Sequence, residues 1–198
     1  MQYPLRSCLF LALLACAEPP TFDPEVSAAF QSVVSAVRGK DGGRLWELSP
    51  EAMHTEMQAL FEQQSVMVSA VQAAYPESDR AAALADLASS LVEGAKDGRD
   101  LFIALLDLDK FAIQPASERG LAIAELTING TEAVVTTVGG ESFRFVKEAG
   151  GWRTTVLAAQ VEVSPGLKRL RANLDIAKAN LASWDRAVQE TTDRSKPE

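Results

Sequence analysis

The chain has a single histidine, His54, and only two cysteines, Cys8 and Cys16, in 198 residues. One histidine cannot build a histidine metal site or a relay between two imidazoles, and both thiols lie near the N-terminus. Removal of the leading stretch would leave no cysteine but Cys16, which excludes disulfides, thiolate nucleophiles and cysteine metal sites from the rest of the chain. A glycine-rich phosphate loop, a Gly-x-Ser-x-Gly elbow and an EF-hand loop are all missing. Basic residues are in deficit, 19 against 27 acidic for a net charge of −8, and a body of that sign repels nucleic acid. What is present is apolar residue, 47% of the chain, enough at this length for one well-buried domain.

Arg6 is the only charge before an apolar run from Cys8 to Ala15, far too short to span a bilayer and suited to the core of a secretory signal. The run ends Leu13-Leu14-Ala15-Cys16, which resembles a bacterial lipobox. That resemblance implies a signal peptide over 1–15, acylation of Cys16 and anchorage to a membrane. Each buried CH₂ of the acyl chains contributes about 0.8 kcal/mol, and two or more chains anchor stably. Residues 16–22, with Pro19-Pro20, read as a short extended tether. Ala17 after the cysteine resembles outer-membrane sorting, which places the domain on the periplasmic side of that membrane.

Asp23 followed by Pro24 is a helix start, Val26, Phe30, Val33, Val34 and Val37 form its apolar stripe, and Gly39 ends it. Ser49-Pro50 repeats the device for a second helix through Met53, Met57, Leu60, Phe61, Val68 and Val71, stopped before Pro76. A third helix begins near Ser78-Asp79 and uses Ala82, Leu84, Leu87 and Leu91. A fourth holds Leu101, Phe102, Leu105 and Leu106. Phe111 to Gly120 is a connector with an edge strand at Phe111 to Ile113.

Asn129-Gly130, Gly139-Gly140 and Gly150-Gly151 punctuate four runs rich in β-branched and aromatic residues: Leu121 to Ile128, Thr131 to Val138, Glu141 to Ala149, and Trp152 to Val163. They predict an antiparallel meander. Counting outward from two-residue turns places Ile123, Glu125, Val134, Phe143, Phe145, Trp152 and Val156 on one face, and Leu126, Ala133, Val135, Arg144 and Leu157 on the other. Neither set is polar enough to face water, so cover is expected on both sides. Beyond Ser164-Pro165, Leu167, Leu170, Leu174, Ala177, Leu181, Trp184 and Val188 repeat at heptad spacing and predict a C-terminal helix over 164–190, followed by a tail at 191–198. That helix is mildly basic beside an acidic body. It either folds back on its own domain or carries self-association or a protein partner.

The fold class expected is therefore α+β: N-terminal helices packed on a four-stranded antiparallel meander, plus a long C-terminal helix. The Lys40-Asp41 turn, the sequence Leu45-Trp46-Glu47-Leu48-Ser49-Pro50 and the stretch Phe143 to Arg153 resemble the NTF2-like superfamily, in particular its small secreted lipoproteins, over 23–163. That resemblance implies a pocket between sheet and helices, used by enzymes of the superfamily for isomerisation or dehydration. Glu125, counted into a row with Val134 and Phe145, is the carboxylate for such chemistry. Phe143, Phe145 and Trp152 would wall a cavity for an apolar ligand or lipid, but core packing alone explains them and is the favoured reading. His54 and Tyr75 read as a rim residue and a packing residue, and Arg144 as the partner of an acid on a covering helix. No cofactor and no metal is implied. The function expected is a membrane-anchored, non-catalytic binding module of the bacterial envelope, with an apolar carrier and a small isomerase or dehydratase as alternatives.

Overall fold

In the computed structural model, which describes residues 22–88, 94–106, 108 and 120–194, the Asp23 carboxylate accepts from the N–H groups of Glu25 and Val26, both at 3.0 Å. With Pro24 in the first turn, this cap starts α1, Pro24–Arg38, and the predicted stripe from Val26 to Val37 is buried. A six-residue α2, Gly42–Glu47, follows under an Asp41 cap. Next comes α3, Glu51–Ala74, which stops where Tyr75, extended at ψ 140, precedes Pro76. α4, Glu77–Ala88, and α5, Gly98–Leu105, complete the N-terminal helices among the described residues. Leu91 and the connector with its expected strand at Phe111 to Ile113 fall outside the described residues, as do the signal, Cys16 and the tether.

The start of α3 differs from its sequence reading. Ser49 does not cap it: its hydroxyl donates to Leu45 O at 2.9 Å, and Pro50 stands at the cap position without a side-chain bond. The first free N–H, that of Glu51, is met instead by the Glu148 carboxylate, 3.1 and 3.3 Å away from 97 residues further along the chain. A helix N-terminus needs an acceptor, and here a strand supplies it.

The meander forms one antiparallel sheet in the order β1 (Ile123–Asn129), β2 (Glu132–Thr137), β3 (Ser142–Glu148), β4 (Gly151–Thr154). The outer hairpins pair Asn129 with Glu132 and Glu148 with Gly151, two residues off the count and therefore without changing faces, and two further features do change them. The middle hairpin closes through three residues, Val138 to Gly140, because Thr137 N–H bonds Glu141 O at 2.9 Å and Gly140, at φ +89, takes the left-handed position of the loop. That moves Phe143 opposite Val135 and Phe145 opposite Ala133, one residue from the expected pairing. A bulge at Ile123/Glu125 then separates these two residues onto opposite faces.

With the register corrected, the faces sort cleanly. The inner face carries Leu126, Ala133, Val135, Phe143, Phe145 and Trp152, and the outer face carries Glu125, Thr127, Val134, Thr136, Arg144 and Val146. On the outer face Glu125, Thr127 and Arg144 are exposed and the two valines half-buried, so the expected cover on both sides is overturned. The slip had mixed the two sets and made each look greasy. α1 covers the inner face, where Phe30 meets Phe143 edge-on with ring centroids 5.1 Å apart.

The last expected strand is also shorter than predicted. After Thr154 the chain turns into α6, Val156–Val163, whose Leu157 and Val161, four apart, are both buried. Alternating valines suggested a strand, but the helical spacing of the two core residues and the intervening Ala158-Ala159-Gln160 win. Ser164, extended before Pro165, separates α6 from α7, Pro165–Arg194, which runs past the expected end at 190. Its Leu167, Leu170, Leu174 and Ala177 are buried and Leu181 and Trp184 half-buried; the Val188 side chain lies outside the described residues. The seam packs on α3, α4 and α6 rather than on the sheet's outer face. The fold is α+β, with seven helices among the described residues, one four-stranded sheet and one core.

Candidate functional site

The expected site residues do not converge. Phe143, Phe145 and Trp152 are buried on the inner face against α1, while Glu125 stands exposed on the outer face beside Thr127, whose hydroxyl lies 3.5 Å from its carboxylate. Arg144 is exposed on the same outer face, and its backbone carbonyl accepts from Thr155 N–H at 3.0 Å. His54 is held: its ring stacks on Trp46 at 4.0 Å, Nε2 lies 2.8 Å from Trp46 O and Nδ1 lies 3.3 Å from Glu51 Oε2. A carbonyl only accepts, so Nε2 carries the proton and the ring clamps α2 to α3. Among the described residues no group of three or more His, Cys, Asp or Glu could hold a metal ion, and no helix is long and apolar enough to cross a membrane.

A concave feature with both apolar and charged walls lies elsewhere, between α4 and α7. Its volume is about 330 Å³, at the small end of ligand-sized clefts. The proline stop after α3 fixes one end: Tyr75 is buried there, and Trp184 on α7 meets it edge-on at 3.9 Å. α4 supplies Asp79, Ala82, Ala83, Asp86 and Leu87; α7 supplies Asn173, Ile176, Ala177, Asn180 and Trp184. Asn173 Nδ2 donates to Asp86 O at 2.7 Å and fixes the spacing of the two helices. The alanines keep the floor open, and Ile176 leaves 58% of its surface to solvent at the mouth.

A larger, shallower depression of about 500 Å³ between α1 and α2 has its charges committed, since Asp41 caps α2 through Arg44 N–H and the Arg44 guanidinium bonds Glu47 at 2.7 Å. The α4–α7 groove was not legible as a site from sequence. Tyr75 read as packing and Trp184 as a seam residue, and both readings are correct as far as they go; their meeting depends on how α7 crosses α4. The one sequence signal was Ile176, an apolar residue outside the heptad positions.

Next to the groove, α7 is fastened by Arg171. Its guanidinium bonds Glu162 of α6 at 2.6 and 3.1 Å and Glu56 of α3 at 2.6 Å. The hydrogen bond from Arg171, with its charge, holds the Glu162 carboxyl below the usual glutamate range. The same bond to Glu162 raises the already basic Arg171 further.

These observations define the class as an α+β domain with a solvent-facing sheet and a two-helix groove. Compared with protein-family models, with curated proteins and with solved structures, the chain matches none.

Proposed function

We propose that this chain is a lipid-anchored, non-catalytic interaction module of the bacterial envelope, NTF2-like in type and held at the periplasmic side of the outer membrane through Cys16. The observation that carries the binding role is the groove between α4 and α7, an open cleft with aromatic, aliphatic and carboxylate walls. The Leu13-Leu14-Ala15-Cys16 sequence supports the anchor. The carrier and enzyme readings have less behind them: Phe143 packs on Phe30, Phe145 and Trp152 are buried in the same core, and Glu125 lies on an exposed strand face away from them.

Cys16→Ala tests the anchor. The variant should move from the membrane to the soluble fraction, and mass spectrometry of the parent protein should show the acyl mass on Cys16. Unchanged membrane association of the variant would overturn the reading.

A further inference from the structure

We infer that Asn129 is a site of spontaneous deamidation, singled out by the fold from three chemically similar pairs and independent of the binding role. The chain has three positions where an aspartate or asparagine precedes glycine: Asp41-Gly42, Asp97-Gly98 and Asn129-Gly130. In each, glycine has no side chain to screen its nitrogen from the neighbouring carboxyl or carboxamide carbon, so the pair is labile until structure restrains it.

Structure restrains two of them. The Asp41 carboxylate accepts from Arg44 N–H at 2.8 Å, while the buried Gly42 donates its N–H to Lys40 O at 3.2 Å. The Asp97 carboxylate accepts from Asp100 N–H at 2.9 Å, while the buried Gly98 donates to Gln58 Oε1 at 2.9 Å. Both reacting groups are thus engaged in helix caps and packed backbone.

The third pair has none of these restraints. Asn129 pairs with Glu132 across a two-residue turn, in which Gly130 at φ +62 takes the first central position as in a II′ hairpin. The ladder closes through Asn129 and Glu132 and leaves the Gly130 N–H outside it. Among the described residues neither that N–H nor the Asn129 carboxamide makes a hydrogen bond. Asn129, Gly130 and Thr131 are all exposed, and a Cβ built on Gly130 would meet nothing within 4 Å.

The Gly130 nitrogen, giving up its proton to hydroxide, attacks the side-chain carbonyl carbon of Asn129. The N–Cγ bond forms, the Cγ–Nδ2 bond breaks, and ammonia departs with a proton from water to leave a five-membered succinimide. Water then opens the ring. Opening at Cγ gives aspartate; opening at the main-chain carbon gives isoaspartate, whose backbone runs through Cγ and is one methylene longer. No electrons are exchanged, and either product adds a negative charge beside Glu132. The longer backbone cannot hold position 129 opposite Glu132 in register with Ile128 opposite the buried Ala133, so the isoaspartate form frays this end of the β1–β2 hairpin.

The test warms the full chain in detergent at mildly alkaline pH and follows it by isoelectric focusing and peptide mass mapping, with fragmentation that separates aspartate from isoaspartate. The expected result is a growing acidic band, with O replacing NH in the peptide that contains Asn129, at a rate that rises with pH. Asp41 and Asp97 should isomerise only in urea, where their caps are lost. Asn129→Gln, which would have to close a larger ring, should suppress the band while circular dichroism confirms an unchanged fold. The isoaspartate form, isolated by anion exchange, should melt about 2–4 °C below the fresh chain. No acidic band, a band that persists in Asn129→Gln, or conversion of Asn173 or Asn180 ahead of Asn129 would each overturn the proposal. Isomerisation of Asp41 or Asp97 in the folded chain as fast as in urea would overturn the discrimination on which it stands. An isoaspartate form that melts with the fresh chain would overturn the link to the hairpin.

Discussion

Gly98 shows how little room single atoms have. At the start of α5 its missing side chain lets the backbone lie on α3: a Cβ built there would fall 2.5 Å from Gln58 N and 2.6 Å from its Cα. The Gly98 N–H also donates to Gln58 Oε1 at 2.9 Å. Backbone cannot rotate aside as a side chain can, so Gly98→Ala forces the helices apart. An overpacking cost of about 1–3 kcal/mol is expected in urea denaturation. Glu148 acts at longer range, closing the start of α3 from the end of β3, and Arg153 Nε lies 4.0 Å from the same carboxylate. Glu148→Ala should lower the unfolding free energy by about 1 kcal/mol, the usual worth of a helix cap. Glu148→Gln, which keeps an acceptor oxygen, should recover part of it. Neither role was legible in the sequence, because each depends on a residue tens of positions away.

The elements were legible where the chain itself carries the signal. Asp23-Pro24, Tyr75-Pro76 and Ser164-Pro165 set helix ends by local chemistry, and all three hold in the structure. The meander was legible from its glycine doublets, but its faces were not. The doublet alone does not say whether a hairpin closes through two residues or three: Gly140 and Gly151, each the second of its pair, both take positive φ, yet the hairpin at Gly140 closes through Val138 to Gly140 and that at Gly151 pairs Glu148 with Gly151 across two residues. The same one-residue ambiguity placed Glu125 in an apolar row it does not occupy. The attachment of α7 has a pH signature that follows from Arg171. Glu162 titrates lower in the folded chain than in the unfolded one, so its contribution is complete above the ordinary glutamate value of about 4.3 and is lost as pH falls through the lowered folded value. The difference in urea midpoint between the parent chain and Arg171→Gln should therefore be constant near neutrality and shrink in acid. A difference that stays flat into acid would show that the pair adds nothing.

At the scale of the whole molecule, the C-terminal helix belongs to the core. Leu167, Leu170 and Leu174 leave 0, 0 and 2% of their surface exposed, and α7 packs on α3, α4 and α6. Truncation at Ser164 should abolish cooperative unfolding, seen as loss of the thermal transition by circular dichroism; a truncated chain that still melts sharply would make α7 an accessory. The heptad seam was visible in sequence. Its choice between folding back and pairing with another chain was not, because a narrow apolar stripe serves either.

Two of the contacts that complete α3 arrive late. Glu148 reaches its first turn across 97 positions, and Arg171 reaches Glu56 across 115. During synthesis the early helices have therefore emerged long before the groups that lock them exist. These two bonds can form only after residues 148 and 171 have been made, so this part of the anchoring of α3 belongs to the last stage of folding.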